Sequence, residues 1–308
     1  MPIVVNSNAS ATSASLNLSR ANDSLRKSLG RLSSGKRINN AADDAGGLAV
    51  AYKLNSKLNR TSAIIQNTQN GLSYLQVQDS SLQTAGKIVD RMAELRTMAQ
   101  DITKNSSDIE NYSKEFIELQ SQLNQVSKET FNGISLFAFS HGTAATTAKY
   151  EGGGANATYN TSGGLALTYD KYNRTLITHD SGVSTSGSVQ LNVTNLQFAL
   201  SLGTTGDLGT GTTITDITTV AVSQFTEVIE RIANARAENG AEQNRIMQTM
   251  DLLQSNLTNI EAAHGRIMDT DIALESTRFA RHNVLVQASA AMTAQANQLT
   301  NVALQLLG

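Results

Sequence analysis

Apolar residues recur at alternating spacings of three and four in several separate stretches, the period of a helix that buries one face. One seam runs through Ala85, Ile88, Met92, Leu95, Ala99 and Ile102, and another through Ile109, Tyr112, Phe116, Leu119, Leu123 and Val126. Between them Asn105, Ser106, Ser107 and Asp108 supply a turn and an N-cap, so the spacing predicts two antiparallel helices joined by a short loop. In the C-terminal third, Phe225, Val228, Ile232 and Ala235 lead into a longer seam of Ile246, Met250, Leu253, Leu257, Ile260, His264 and Ile267. Both ends carry stripes of their own: Leu18, Leu25, Leu29 and Leu32 near the start, and Leu285, Ala288, Met292, Leu299, Val302 and Leu306 near the finish.

The middle of the chain follows another rule. More than half of the 22 glycines fall between Gly142 and Gly211, amid Thr, Ser and Asn. Val189, Leu191 and Val193 alternate with polar residues as a half-buried strand does, and Leu165, Leu167 and Tyr169 alternate likewise. The pattern therefore predicts a mainly α protein: long antiparallel helical bundle or coiled-coil arms from both termini, with a small β-rich insertion at about 140–220. A low-complexity linker is the competing reading of that insertion.

Composition narrows the function. The chain has 308 residues, enough for about two domains of ordinary size. Its one proline is Pro2, so nothing later forces a kink in a long helix. Lys and Arg total 24 against 26 Asp and Glu, a net charge of -2, which leaves no basic excess to neutralise a nucleic acid backbone. Cysteine is absent, which excludes disulfides, thiolate metal sites and a cysteine nucleophile. Tryptophan is absent too and aromatics make up 5%, a poor supply for a small-ligand pocket.

Charge is silent at both extremities, with no charged side chain from Met1 to Ser19 or from Asn283 to Gly308. Gln, Asn, Ser and Thr interrupt the tail every few positions, unlike the roughly 20 predominantly apolar residues of a bilayer span. Membrane insertion is not expected. The amino end lacks a basic flank, a compact apolar core and a cleavage site, so a secreted form would need another route out of the cell. Helices separated by an insertion bury their stripes by packing on each other, yet a lone pair leaves much of each stripe wet. At roughly 1.5–3 kcal/mol for each large apolar side chain removed from water, exposure of Leu18, Leu25, Leu285 and Leu299 is a substantial loss. Copies of the same chain would cover them, and the terminal segments are expected to order on self-association.

Motifs with catalytic chemistry do not compete with this reading. The run from Gly30 to Arg37 has the glycine and lysine spacing of a phosphate loop, but Arg37 stands where a magnesium-binding hydroxyl is needed and helix precedes it where a strand is required. A helix-ending loop is the better account. His141, His179, His264 and His282 form no metal-binding pair, and His264 sits on a seam where a packed histidine is expected. Asp269, Asp271 and Glu275 lack the spacing of a calcium loop and read as a solvated helix start. No Gly-x-Ser-x-Gly elbow occurs. No cofactor is implied.

The run Leu32-Ser-Ser-Gly-Lys-Arg-Ile-Asn-Asn-Ala-Ala-Asp-Asp-Ala-Gly-Gly-Leu-Ala49, with Asp43, Asp44, Gly47 and Leu48 at its centre, resembles the N-terminal signature of bacterial flagellin. Asn244-Arg245, Asn256-Leu-Thr-Asn-Ile-Glu-Ala-Ala263, Arg266, Asp269, Asp271, Glu275 and the stretch Ala294-Gln-Ala-Asn297-Gln298 are similar to the flagellin tail. Phe131-Asn132-Gly133 matches the end of the N-terminal arm. The resemblance covers 18–137 and 225–308 and leaves the insertion unmatched.

It implies a structural subunit, not an enzyme, that self-assembles into the extracellular flagellar filament for swimming motility. Residues 1–45 and 270–308 would form an inner terminal-helix domain with its spoke connection, and 46–139 with 221–269 a helical rod domain. Residues 140–220 would form a variable surface insertion, where any glycan would be sought. A helix over 47–103 would be roughly 80 Å long. The assembly stripe would be Leu18, Leu25, Leu29, Leu32, Leu285, Met292, Leu299, Val302 and Leu306.

Implied partners are other copies of the chain, an export chaperone on the C-terminal helix, the filament cap and junction proteins, and a Toll-like receptor that would touch Arg91 and Leu95. Export would follow the type III route, without a cleaved signal peptide. Two departures matter. No proline follows Ala-Asn-Gln, so the last helix is expected to run on, and Ala93 stands where many relatives carry a second receptor-contacting arginine. The alternatives are a hook-filament junction protein, in which Asp-Asp-Pro is commoner than the Asp43-Asp44-Ala45 present here, and a flagellin with an enzymatic insertion.

Overall fold

The computed structural model describes residues 8–138, 156–160, 166–170, 172–200, 202, 208 and 214–307; at 156–160, 166–170, 197–198 and 299–307 only the backbone is described. The chain is mainly helical. Helices α1 (Ala9–Ser34), α2 (Ala45–Met98) and α3 (Ser106–Ser127) precede three antiparallel hairpins. These hairpins are β1 (Thr130–Phe131) with β2 (Ile134–Ser135), β3 (Asn156–Asn160) with β4 (Ala166–Asp170), and β5 (Tyr172–Ile177) with β6 (Ser188–Val193). A single helical turn, α4 (Leu196–Ala199), follows, then a short 3₁₀ turn at Ile217–Thr219, then α5 (Val222–Met268) and α6 (Ile272–Leu307). The chain divides into two compact units, one of residues 1–59 with 257–308 and one of 60–256.

In the second unit the predicted seams become its core. Ala85, Ile88, Met92, Leu95 and Ala99 of the first seam are buried beside Phe116, Leu123 and Val126 of α3 and Phe225, Val228, Ile232 and Ile246 of α5. The rings of Phe116 and Phe225 meet edge to face with centroids 6.2 Å apart, a favoured aromatic geometry. Pairing of Arg91 with Glu115 and of Ser81 with Glu129 shows that α2 and α3 run antiparallel, as expected. Asn105 caps α3 by accepting from the Asp108 N–H at 2.9 Å, while the Asp108 carboxylate accepts from the Asn105 N–H, a full capping box.

The first seam is shorter than expected at its far end. Helix α2 stops at Met98, and Ile102 is 98% exposed on the connecting loop. Asp101 is the cause: its carboxylate accepts from the Thr103 N–H at 2.9 Å and its carbonyl from the Lys104 N–H, a local turn that outcompetes a further helical turn.

Hairpin β1–β2 turns through Asn132 (φ 51°) and Gly133 (φ 75°). Positive φ at both central residues is the signature of a two-residue type I′ hairpin, which suits Asn-Gly. In β6 the alternation read from sequence holds: Val189, Leu191 and Val193 are buried while Gln190 is exposed. Val189 and Leu191 enter the same core as the helices, and Gly71 leaves room for this docking, since a Cβ there would come within 2.9 Å of Leu176. Leu167 and Tyr169 fall on β4, and Leu165 lies outside the described residues.

Candidate assembly surface of the terminal helices

Helices α1 and α6 pack antiparallel in the first unit. Asn8, the N-cap of α1, donates to the Ala296 carbonyl at 2.8 Å, and at the other end Arg31 approaches Glu275. Positions of α1 that lose solvent include a heptad seam of Ala11, Ala14, Leu18, Ala21, Leu25, Ser28 and Leu32. Those of α6 are Glu275, Phe279, His282, Val286, Ser289, Thr293 and Ala296. Ala, Ser and Thr fill half of these positions, and Leu18, Leu25, Leu32, Phe279 and Val286 are the large apolar side chains among them.

This geometry divides the terminal stripe read from sequence. Leu18, Leu25 and Leu32 face the seam within the chain and are half-buried. Leu29, Leu285 and Met292 point away from it, at 54%, 42% and 65% exposure. Leu16, Ile272, Leu274 and Val284 are exposed as well. Leu285 and Met292 are one heptad apart, and the same step continues through the helix at Leu299 and Leu306; the side chains of Leu299, Val302 and Leu306 lie outside the described residues. Large apolar side chains thus stand on the outer face of the pair as well as in its seam, where a solvated helix pair would turn a polar face outward. Periodicity alone could not assign Leu285 to the outer face and Val286 to the inner one, because the two lie side by side on the helix.

Between α1 and α2 the chain is held by the motif residues. Gly35 ends α1 in the left-handed conformation (φ 68°), so the phosphate-loop lookalike is the helix-ending loop expected. Residues 35–37 pair with 268–270: the Arg37 N–H donates to the Met268 carbonyl at 2.6 Å and the Thr270 N–H to the Gly35 carbonyl at 3.0 Å, around a Lys36–Asp269 bridge. The Arg37 guanidinium also donates twice to the Ile267 carbonyl. Asp43 accepts from the N–H groups of Asn39 and Asn40 and pairs with Lys27 at 2.7 Å. Asp44 caps α2 through the Gly47 N–H at 2.8 Å, and a Cβ on Gly47 would collide with that carboxylate. Leu48 lines a hollow of about 490 Å³ with Ile38, Ala51, Tyr52, His264 and Met268.

The C-terminal motif is placed as follows. Asp271 caps α6 through the Ala273 and Leu274 N–H groups. Arg266 lies in the last turn of α5, where a cation complements the helix dipole. Arg245 reaches the Ser188 carbonyl at 3.4 Å, while Asn244, Ala294, Asn297 and Gln298 are exposed.

Glu275 corrects the reading of a solvated helix start: it is 3% exposed, 3.3 Å from Arg278 and 3.9 Å from Arg31. Its position at the first seam step of α6 takes it under α1. The heptad from Glu275 to Ala296 was missed in sequence because Glu, His, Ser and Thr occupy it, and its spacing of four and three is the one signal that could have found it. Arg91 bridges Glu94 and Glu115 at the surface, and both carboxylates raise its pKa further. Leu95 is wholly buried, so of these two positions Arg91 alone is accessible from outside.

Comparison with known proteins gives the same answer as the motifs. Residues 5–141 match the bacterial flagellin N-terminal helical region, and residues 222–307 match the bacterial flagellin C-terminal helical region. The chain is 31% identical to a flagellar filament 33 kDa core protein of Treponema phagedenis over 99% of its own length and 100% of that protein. It is also 31% identical to a flagellin of Bacillus subtilis, over 98% and 99% of the two chains. Among solved structures, a Vibrio parahaemolyticus protein described as flagellar hook-associated superposes with a TM-score of 0.55 over 74% of this chain and 100% of the other; at 14% identity it shows the fold alone. With helical arms from both termini, a signature-bearing connection and matches to both flagellin helical regions, the chain belongs to the bacterial flagellins, the structural subunits of the flagellar filament, which are not enzymes.

Proposed function

We propose that this flagellin polymerises through the outward faces of its terminal helices, with Leu29, Leu285 and Met292 covered by neighbouring copies. One observation carries the reading: large apolar side chains stand exposed on the outer face of the α1–α6 pair, in addition to those its seam shelters. Burying a fully exposed large side chain contributes roughly 1.5–3 kcal/mol, so these half-exposed ones offset part of the cost of immobilising a subunit. Leu299, Val302 and Leu306 extend the stripe toward the carboxyl end. On the same reading, 1–45 with 270–308 form the inner layer, 46–139 with 221–269 the surrounding rod, and 140–220 the outermost part.

An export chaperone would shield the outer face of α6 before assembly, and cap and junction proteins would meet the same helices at the filament ends. Arg91 would be the accessible point for an innate receptor. The filament, outside the cell, would be the place of work.

The test is seeded growth of filaments from purified chain carrying Leu285→Asp or Met292→Asp. Both positions are exposed, so circular dichroism and melting should stay as in the parent while elongation is lost. Normal elongation by both variants would remove the proposal.

A further inference from the structure

The sequence holds three Asn-Gly pairs, Asn70-Gly71, Asn132-Gly133 and Asn239-Gly240, and the fold treats them very differently. Such a pair is prone to an internal reaction. The backbone nitrogen of the glycine attacks the carboxamide carbon of the asparagine, a C–N bond forms, ammonia leaves, and a five-membered succinimide results. Water then opens that ring at either carbonyl, giving aspartate or isoaspartate. No oxidant, metal or enzyme is required. The attack needs an accessible carboxamide, a glycine nitrogen free of a backbone ladder, and a backbone able to swing the two together.

Two of the pairs are locked. Gly71 lies within α2, with its nitrogen in the helical ladder and Leu176 packed above it. Asn239 lies within α5 at 2% exposure, and its carboxamide is engaged at both ends, donating to Gln78 at 2.7 Å and accepting from Gln243 at 2.6 Å. The third pair is open. Asn132 and Gly133 form the tip of the β1–β2 hairpin, both exposed, with no hydrogen bond from the Asn132 side chain or the Gly133 N–H and open space around Gly133. Asn132 is also the one non-glycine residue with positive φ among the described residues.

We propose that Asn132 is a site of spontaneous modification, deamidated by attack of the Gly133 nitrogen, and that isoaspartate there opens the hairpin. The chemistry of the product supports the second half. Isoaspartate inserts an extra backbone carbon into a turn that has two residues between the paired Phe131 and Ile134. Phe131 stands edge to face with Tyr74, and the Tyr74 hydroxyl donates to the carbonyls of Ser135 and Leu136. A lengthened turn thus pulls on contacts that hold residues 131–136 to α2. A newly made and an aged subunit would differ at this hairpin.

The experiment is incubation of the full folded chain in mildly alkaline buffer, with peptide mass spectrometry and isoaspartate detection over time. A parallel sample in denaturant serves as reference. In denaturant all three pairs should react at similar rates. In the folded chain Asn132 should react about tenfold or more faster than Asn70 and Asn239, which must wait for local unfolding of their helices. Gly133→Ala should suppress the Asn132 product in both samples. If Asn132 in the folded chain is as slow as the helical pairs, the turn holds the reacting atoms apart and the first half of the proposal is wrong. If the isoaspartate form keeps the protease resistance of the 129–138 segment, the second half is wrong.

Discussion

At the residue scale, Asp43 shows how much work one carboxylate performs in the connection after α1. It receives the Lys27 ammonium and two backbone N–H groups, and these interactions lower its pKa from 3.8 to about 2, the Lys27 hydrogen bond being the largest cause. A carboxyl whose folded value is depressed favours the folded state above its ordinary value. That contribution is lost as pH falls from 3.8 through about 2. Asp43→Asn should therefore cost roughly 0.5–1 kcal/mol at neutral pH, the scale of a partly exposed pair. It should also flatten the loss of stability across that acid window. Thermal unfolding of parent and variant at a series of pH values checks both, and identical acid slopes would count against this account. The signature was visible in the sequence at Asp43, Asp44 and Gly47, but as a resemblance. Only the structure says that the first ties a turn to α1, the second caps α2, and the third has no room for a side chain.

At the element scale, the helices of the second unit bury more than their apolar seams. Gln78 and Asn239 are almost fully buried and hydrogen-bonded to each other, Gln243 continues the chain of amides, and Gln78 donates to the Leu136 carbonyl at 2.8 Å. Each of these groups was paid for by desolvation and is satisfied by a partner, so removing one strands the rest. Asn239→Leu should lower stability by about 1–3 kcal/mol, and Gln78→Leu in the same chain should cost less than an equal second increment, because the stranded partner is then gone. Urea midpoints of the two single variants and the double give the coupling. Additive losses would mean that the ladder is only a set of neighbours. The apolar half of this core, from Ala85 to Ala99 and from Phe116 to Val126, was legible from spacing. Its polar half was not, because Gln and Asn in a helical period read as a solvated face until a second helix is known to cover them.

At the scale of the whole molecule, the terminal helices give the sharpest contrast between two kinds of apolar position. Leu25→Asp places a charge in the α1–α6 seam and should loosen the pair, seen as lower helicity and faster amide exchange in α1. Leu285→Asp should leave helicity intact and act only on growth. If the two variants behave alike in dilute monomer, the division into inner and outer faces is wrong.

The sequence by itself determined the helical and strand periods, the helix-ending loop at Gly30–Arg37, the cap at Asn105 and the signature motifs. All of these depend on neighbours within a few positions, where backbone sterics and side-chain period dominate. The tertiary structure alone decided that Leu285 lies outside and Val286 inside, that Glu275 is buried, and that Gln78 meets Asn239. The reason is physical. A helix fixes the angular position of each side chain about its own axis, but which angle is sheltered depends on a partner more than a hundred residues away, and no local rule carries that partner's position.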